Sequence, residues 1–429
     1  MSTTTMTTVR PGDPGYDEAR LGFQTHRSQR PAEIVVAGSA DDVVAAVRAT
    51  RRTGRRIAVQ ATGHGVGAVT EEALLISTAA LDGVTVDPVR RTARVGAGAR
   101  WSAVITAAAE HGLAPLSGSS SDVGAAGYLV HGGIPLLGRR HGYAAEHVRA
   151  FELVTADGEQ RRVTDGDLFW ALRGGGGSFG IVTAVEIDLL PLTTVFGGAL
   201  HLPATPQALR GWRDWAAGVP VEMSTSAAVA PFPDPERPVL AVRIAYEGTP
   251  ADGVRLVAPL RELAEPLLDE LRELPWTESD TIHDDPSGPV ASRSTTVALR
   301  ALPDAVLDAA VATQGQDVPR IVEFRRMGGA FTRPGPAAPL RRDAEWTGGT
   351  LSIMAPGIDP AAADRLDAQF RAAAAPHTVG RLANLLYGEG ADPAAVAAAY
   401  TPADLARLQE IRAQLDPTGA LAPGAPLPR

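Results

Sequence analysis

Three glycine-rich segments carry the clearest chemical signal in the chain: TGHGVGA at 62–68, SGSSSDVGAAGYLVHGGIPLLG at 117–138 and RGGGGSFGIVT at 173–183. Glycines let backbone N–H groups approach an anion closely, as a diphosphate requires. Any one of them fits a tight turn equally well, but three in one region favour binding. None is G-x-G-x-x-G between a strand and a helix, so the βαβ dinucleotide fingerprint is absent. None contains G-K-[ST], and all 40 basic residues are arginine. Without lysine there is neither a P-loop nor a Schiff-base lysine for pyridoxal phosphate. Cysteine is also absent, which removes disulfides, thiolate nucleophiles and Cys-ligated metals. His131, His141 and His147 lack the i, i+4 spacing of a helical metal pair, so no metal is expected. SGSSSDVG is not G-x-S-x-G, which argues against a serine nucleophile elbow. Asparagine occurs once, as Asn384.

The elements that position these segments follow from periodicity. AEIVVAG predicts a strand, and SADDVVAAVRATRRTG a helix with Ser39 as N-cap and Gly54 at its end. RIAVQATG predicts a second strand that runs into the first glycine turn. GVTVDPVRRTARVGAG reads as a hairpin about Asp87-Pro88, and VRAFELVTADGEQRRVT as another about Asp157-Gly158. A helix is expected from Trp101 to His111. Over residues 195–375 the glycine runs disappear. Strand-like runs (PVLAVRIAYEG, STTVALRAL, RIVEFRRMGG, GGTLSIMAPG) alternate there with a long amphipathic stretch, ADGVRLVAPLRELAEPLLDELREL, expected to be helical. The tail predicts a helix capped by Thr401 and ended at Asp416-Pro417. The expected fold class is α+β.

The chain has 429 residues, 45% hydrophobic and 21% charged, with a net charge of −9. That length suits two or three domains. The acidic balance argues against general nucleic-acid or anionic-membrane binding. No apolar run reaches about 18 residues, and MSTTTMTTVR has no apolar signal-peptide core, so a cytoplasmic location is expected.

Together, QATGHG, the segment from SGSSSDVGAAGYLVHGG to FELVTADG, and DLFWALRGGGGSFGIVT resemble the berberine-bridge-enzyme-like branch of the vanillyl-alcohol-oxidase flavoproteins. The likeness covers the first half in order and returns at ADLARLQEIRAQLDPTGAL. It is weakest in the middle, around EFRRMGGAFTRP. It implies a PCMH-type FAD-binding domain from residues 1–194 and a C-terminal segment, 376–429, that returns to it. An α+β substrate domain at 195–375 would be inserted between them, an antiparallel sheet with helices on one face.

The resemblance also implies roles for residues. His64 matches the histidine bonded covalently to the flavin. Thr62, Gly63, Gly65, Val66 and Gly67 match its diphosphate-binding turn. Ser120 stands where many relatives place a second, cysteine tether, so attachment through His64 alone is expected. Val123 matches the position beside the oxygen-reactive flavin edge, where a small side chain accompanies use of O₂. Gly124, Gly127, Tyr128, Gly132 and Gly133 match the loop against the cofactor, and Gly180, Ile181 and Val182 the adenine side. His131 stands where relatives have glycine, and Glu146-His147 where they have Asp-Asn. Asn384 matches the Asn of a Tyr-x-Asn motif beside the flavin ring. The Tyr of that motif, often the catalytic base, is replaced by Leu382, and Arg333 falls near the glutamate base of plant members. The base is therefore open among Tyr387, Glu323 and Tyr246.

The implied activity is an FAD-dependent oxidase that moves hydride from a small organic substrate to the flavin, with O₂ as reoxidant giving H₂O₂. The flavin would supply the redox chemistry and the protein would position it. A natural-product intermediate of polyketide or alkaloid type is the expected substrate, with sugar or alcohol oxidation second. The missing Tyr base leaves a flavin-dependent cyclase or isomerase without net redox change as an alternative, and a non-catalytic flavin-binding protein as another. A monomer or homodimer is expected.

Overall fold

The computed structural model describes residues 7–27, 29–65, 71–231, 234, 237–314, 318–334 and 338–428. The fold is α+β. Its first sheet holds β1 (Thr7–Val9), β2 (Glu33–Val36), β3 (Ile57–Gln60) and β4 (Leu74–Ser77), in the order β1-β2-β4-β3. β2 and β3 both run parallel to β4, and β1 is an antiparallel edge. The helix Ala40–Thr53 connects β2 to β3. Ser39 caps it by accepting a hydrogen bond from the Asp42 N–H, and Gly54 closes it in the left-handed conformation. Its buried residues, Val43, Ala46, Val47 and Thr50, recur at i, i+3, i+4 and i+7, the stripe that packs on the sheet.

The second sheet holds β5 (Val84–Asp87), β6 (Thr92–Gly96), β7 (Val148–Val154), β8 (Gln160–Val163) and β9 (Ile181–Asp188), in the order β5-β6-β9-β7-β8. Both expected hairpins are here. Asp87 Oδ1 accepts from the Val89 and Arg90 N–H groups to form the first turn. The helix Trp101–Ala109 is somewhat shorter than its sequence pattern.

The third sheet has nine strands: β10 (Thr194–Pro203), β11 (Met223–Ala230), β12 (Val239–Tyr246), β13 (Leu268–Asp269), β14 (Arg272–Pro275), β15 (Ser292–Leu299), β16 (Arg320–Arg326), β17 (Trp346–Ile353) and β18 (Thr378–Gly380). Its main order is β13-β10-β12-β11-β16-β17-β15-β18, and all its pairs are antiparallel. One face packs on helices. Leu209 and Trp212 of Pro206–Gly218, Val306 and Leu307 of Asp304–Ala312, and Phe370 of Pro360–Ala374 share a core with Val242, Ile244 and Phe324 of the strands.

The long helix expected around 251–274 is a correction. The helix Pro250–Arg261 stops early, and residues 268–275 instead form β13 and β14 on the outer edge of β10. Pro266 explains the break, because it lacks an N–H and disfavours helix in the residue before it.

The last helix, Pro402–Leu415, is capped by Thr401, which accepts from the Asp404 N–H. The chain then turns back along β3. The Ile57 N–H donates to the Ala420 carbonyl, and the Ala422 N–H donates to the Ile57 carbonyl.

Candidate active site

A cavity of about 920 Å³ lies against the face of the nine-stranded sheet that the helices leave open. That volume is near the upper end for a small-molecule or cofactor site. One wall is built from the turn after β3, the loop and short helix at 118–131, Gly180–Val182 and the tail at 421–424. The opposite wall is the sheet. Ile321, Glu323 and Arg325 of β16 and Thr347, Gly349 and Leu351 of β17 face it, because alternate strand residues point to one side.

The turn after β3 places His64. Gly63 sits at φ 77°, and a Cβ there would lie 2.4 Å from the Gly22 Cα. Only glycine permits this close crossing of two backbone segments. The Phe23 and Gln24 N–H groups donate to the Thr62 and Gly63 carbonyls, which fixes the crossing. Phe23 then stacks on His64, with ring centroids 3.9 Å apart and planes within 11°. His64 Nδ1 lies 3.0 Å from Thr62 Oγ1, while Nε2 is buried and has no hydrogen-bond partner among the described residues. Burial first, and then the positive charge of Arg100, push the His64 pKa down to about 4. The ring is therefore neutral at physiological pH and keeps one nitrogen lone pair. Thr62 also accepts from the Gly124 N–H, tying this turn to the next loop. Gly65 lines the cavity with open space where its Cβ would be. Val66 and Gly67 lie outside the described residues.

Ser120, Val123, Gly124, Gly127 and Tyr128 line the cavity, as do Gly180, Ile181 and Val182. Gly127 faces open space at the position of a Cβ. Gly132 and Gly133 lie behind the wall instead. Side chains there would run into Leu340 and the Tyr128 ring, so these glycines serve packing. Asn384 reaches across from the C-terminal part. Its Oδ1 accepts from the Ile134 N–H and its Nδ2 donates to the Tyr128 carbonyl, both at 3.4 Å. Leu382 is buried in a separate apolar cluster with Ile134, Tyr143 and Phe331, and Arg333 is exposed.

The three nominated bases separate. Tyr387 lines the cavity. Burial raises its pKa, and a hydrogen bond with Ser294 works the other way. Glu323 also lines it, held by Arg243 at 3.2 Å and Arg325 at 3.0 Å. Burial alone would raise its pKa, but the two guanidinium charges overcome that and hold it at about 2. Such a carboxylate is a fixed charge and a weak base. Tyr246 does not line the cavity. It follows Val242 and Ile244 on the helix-facing side of β12, whereas Arg243 takes the other side, so strand alternation removes it from the site.

Several cavity residues escape a reading of the sequence. Phe23 and Gln24 come from an irregular segment whose position depends on the Gly22–Gly63 crossing. Arg243 and Arg325 left a faint trace, as charged residues inside otherwise apolar strand runs. Behind them, His283 is buried. Its pKa lies well below the usual value because of burial, then Arg243 and Arg325.

The histidines at 131, 141 and 147 are each engaged in separate hydrogen bonds. His131 Nδ1 lies 2.8 Å from the Gly127 carbonyl, His141 Nε2 2.6 Å from Glu247, and His147 Nε2 3.0 Å from the His141 carbonyl. Among the described residues no group of three His, Asp or Glu stands close enough to hold a metal. No helix among them is long and apolar enough to cross a membrane.

Residues 31–164 match the family model for the FAD binding domain. The chain is 34% identical over 218 residues to an FAD-linked oxidoreductase, pytB, of Aspergillus terreus, a match taking in 49% of this chain and 26% of that protein. It is 32% identical over 189 residues to (R)-6-hydroxynicotine oxidase of Paenarthrobacter nicotinovorans, covering 43% of this chain and 41% of that one. These matches span less than half the length of either relative. Among solved structures, 6-hydroxy-D-nicotine oxidase from Arthrobacter nicotinovorans superposes with a TM-score of 0.85 at 23% identity, covering 98% of each chain. Xylooligosaccharide oxidase from Myceliophthora thermophila superposes with a TM-score of 0.86 at 22% identity, covering 99% of this chain and 98% of that one. At these identities the superpositions establish the fold.

Proposed function

We propose that this chain is a berberine-bridge-enzyme-like FAD-linked oxidoreductase with a PCMH-type FAD-binding domain, an oxidase of a small organic substrate with its FAD tethered through His64. The observation that carries the reading is the neutral, half-buried imidazole of His64, its Nε2 buried and without a partner among the described residues, at the wall of a 920 Å³ cavity. The cavity is large enough for a dinucleotide, and the open positions at Gly65 and Gly127 leave backbone accessible to phosphate oxygens. When bound, the flavin supplies the hydride acceptor and, through O₂, the route to H₂O₂.

The protein's part is positioning. Phe23 and Thr62 hold the His64 ring in one orientation. With no cysteine in the chain, Ser120 leaves the tether single. Val123 presents a small apolar side chain to the cavity and leaves room for O₂. Asn384 locks the C-terminal part to the loop that carries Tyr128. Tyr387, hydrogen-bonded to Ser294 and kept protonated by burial, offers a hydroxyl that donates to the substrate hydroxyl or amine and orients it. Natural-product tailoring is the proposed setting, since (R)-6-hydroxynicotine oxidase, a relative named for a nicotine derivative, matches 43% of this chain.

The test is an oxygen-electrode screen of alcohols, amines, sugars and phenolic natural products, with H₂O₂ measured per product. One H₂O₂ per product is expected. Product without H₂O₂ would reject the oxidase and favour the cyclase or isomerase reading.

A further inference from the structure

The cavity face of the nine-stranded sheet carries a rank of polar residues at one level. Arg243 of β12 pairs with Ser226 of β11, Ser226 with Arg325 of β16, and Arg325 with Thr347 of β17. Strands lie about 4.8 Å apart, so the Cα atoms of Arg243 and Arg325 are about 10 Å apart with Ser226 between them. Alternation puts all four on the cavity side, while Ala227 and Val229 of β11 face the helices. Both arginines line the large cavity, and with Ser226 they also line a small pocket of about 40 Å³ beside it.

The charges in this rank do not balance. Two guanidiniums share one carboxylate, Glu323, and His283 beside them is neutral. Arg325 donates to Glu323 through Nη2, and Arg243 donates through Nη1 to Glu323 and through Nη2 to the His283 carbonyl. The Ser226 hydroxyl is buried and also partnerless among them. A buried hydroxyl without a partner beside a surplus positive charge is costly unless a ligand completes it. Asp284 and Asp285 stand at the rim; both are exposed, and Asp285 acts on Arg325 as a solvated charge weaker than Glu323.

Along the strands the lining changes character. Two residues from Arg325 and Thr347 come Glu323 and Gly349, and two further come Ile321 and Leu351. A ligand lying on this wall meets cationic donors at one end and apolar side chains at the other.

We infer that Arg243, Ser226 and Arg325 form an anion seat, and that the substrate is an organic carboxylate with an apolar body. An arginine presents paired N–H groups that match the two oxygens of a carboxylate, and the Ser226 hydroxyl adds a third donor. This deepens the oxidase reading of the same cavity and rests on it for the word substrate. The seat itself is a binding property measurable without turnover.

The test is calorimetric titration of the purified protein, as expressed, with benzoate and with its neutral isostere benzamide. Benzoate is expected to bind at least tenfold more tightly than benzamide, and Arg325→Gln to abolish that preference. Tyr246→Phe, on the opposite face of the sheet, keeps it. Equal binding of the two probes, binding of neither, or a preference that survives in Arg325→Gln overturns the inference. The wild-type comparison decides even if the variant fails to fold. Flavin content of the same sample separates the two readings. A colourless protein that prefers benzoate rejects the flavin reading and keeps the seat, and a yellow one without preference does the reverse.

Discussion

Replacing Glu323 by glutamine removes the only carboxylate between Arg243 and Arg325 and leaves both guanidiniums without it. The native fold holds the Glu323 pKa at about 2, against an ordinary 4.5. At ~1.4 kcal/mol per pH unit, that corresponds to roughly 3 kcal/mol in favour of the ionised, folded state. The sign follows from linkage. A depressed folded pKa adds stability that is complete above the unfolded value and is lost as pH falls through the folded one. The contribution is therefore full at pH 7, less than half of that at pH 3, and lost well below pH 2. Glu323→Gln is expected to lower the urea midpoint strongly at pH 7 and much less at pH 3. Midpoints at matched slopes are the quantity to compare, since a chain of this size need not unfold in two states. Adding Arg325→Gln to Glu323→Gln should cost less than the two singles together, by about 1–3 kcal/mol, because the pair is in contact. A midpoint shift no larger than that of the exposed control Glu159→Gln refutes the reasoning, as does a gap that stays constant with pH.

Other substitutions read out other parts of the site. Gly63→Ala places a Cβ 2.4 Å from the Gly22 Cα at a left-handed φ, which costs about 1–2 kcal/mol from the backbone alone. Its thermal midpoint should fall, and less flavin should survive purification. Tyr387→Phe should lower kcat/KM by roughly tenfold, as expected for the loss of one orienting hydrogen bond, while Tyr246→Phe leaves it unchanged. Steady-state oxygen uptake checks both. Asp416 accepts from the Ala420 and Leu421 N–H groups at 2.8 Å, each such charged bond being worth about 1.5–3 kcal/mol. Asp416→Ala should speed amide exchange in the 420–422 segment at least tenfold, measured by hydrogen exchange and mass spectrometry.

Local signals in the chain were strong where local physics decides. Ser39, Gly54, Thr401 and the Asp87 turn are capping and turn residues whose roles depend on neighbours within a few positions. The cavity walls at 62–65 and 118–128 were legible because glycines mark close backbone approach. The sheet wall was not. Arg243, Arg325 and Ser226 come from three strands, and only the register brings them to one level. Tyr246 shares β12 with Arg243, but strand alternation turns it to the helix-facing side. Phe23 belongs to a segment without periodicity, placed by the crossing of Gly22 and Gly63. The apolar run after Arg261 looked helical by period, and Pro266 together with a free sheet edge sent it into strands.

The central claim is that an FAD occupies the 920 Å³ cavity and is bonded to His64. It is tested most directly by intact-mass spectrometry of acid-precipitated, washed protein beside its His64→Ala variant. The account predicts a yellow pellet whose mass exceeds the polypeptide by one FAD, and a variant pellet that is colourless at the bare polypeptide mass. A wild-type pellet at the bare polypeptide mass would contradict it.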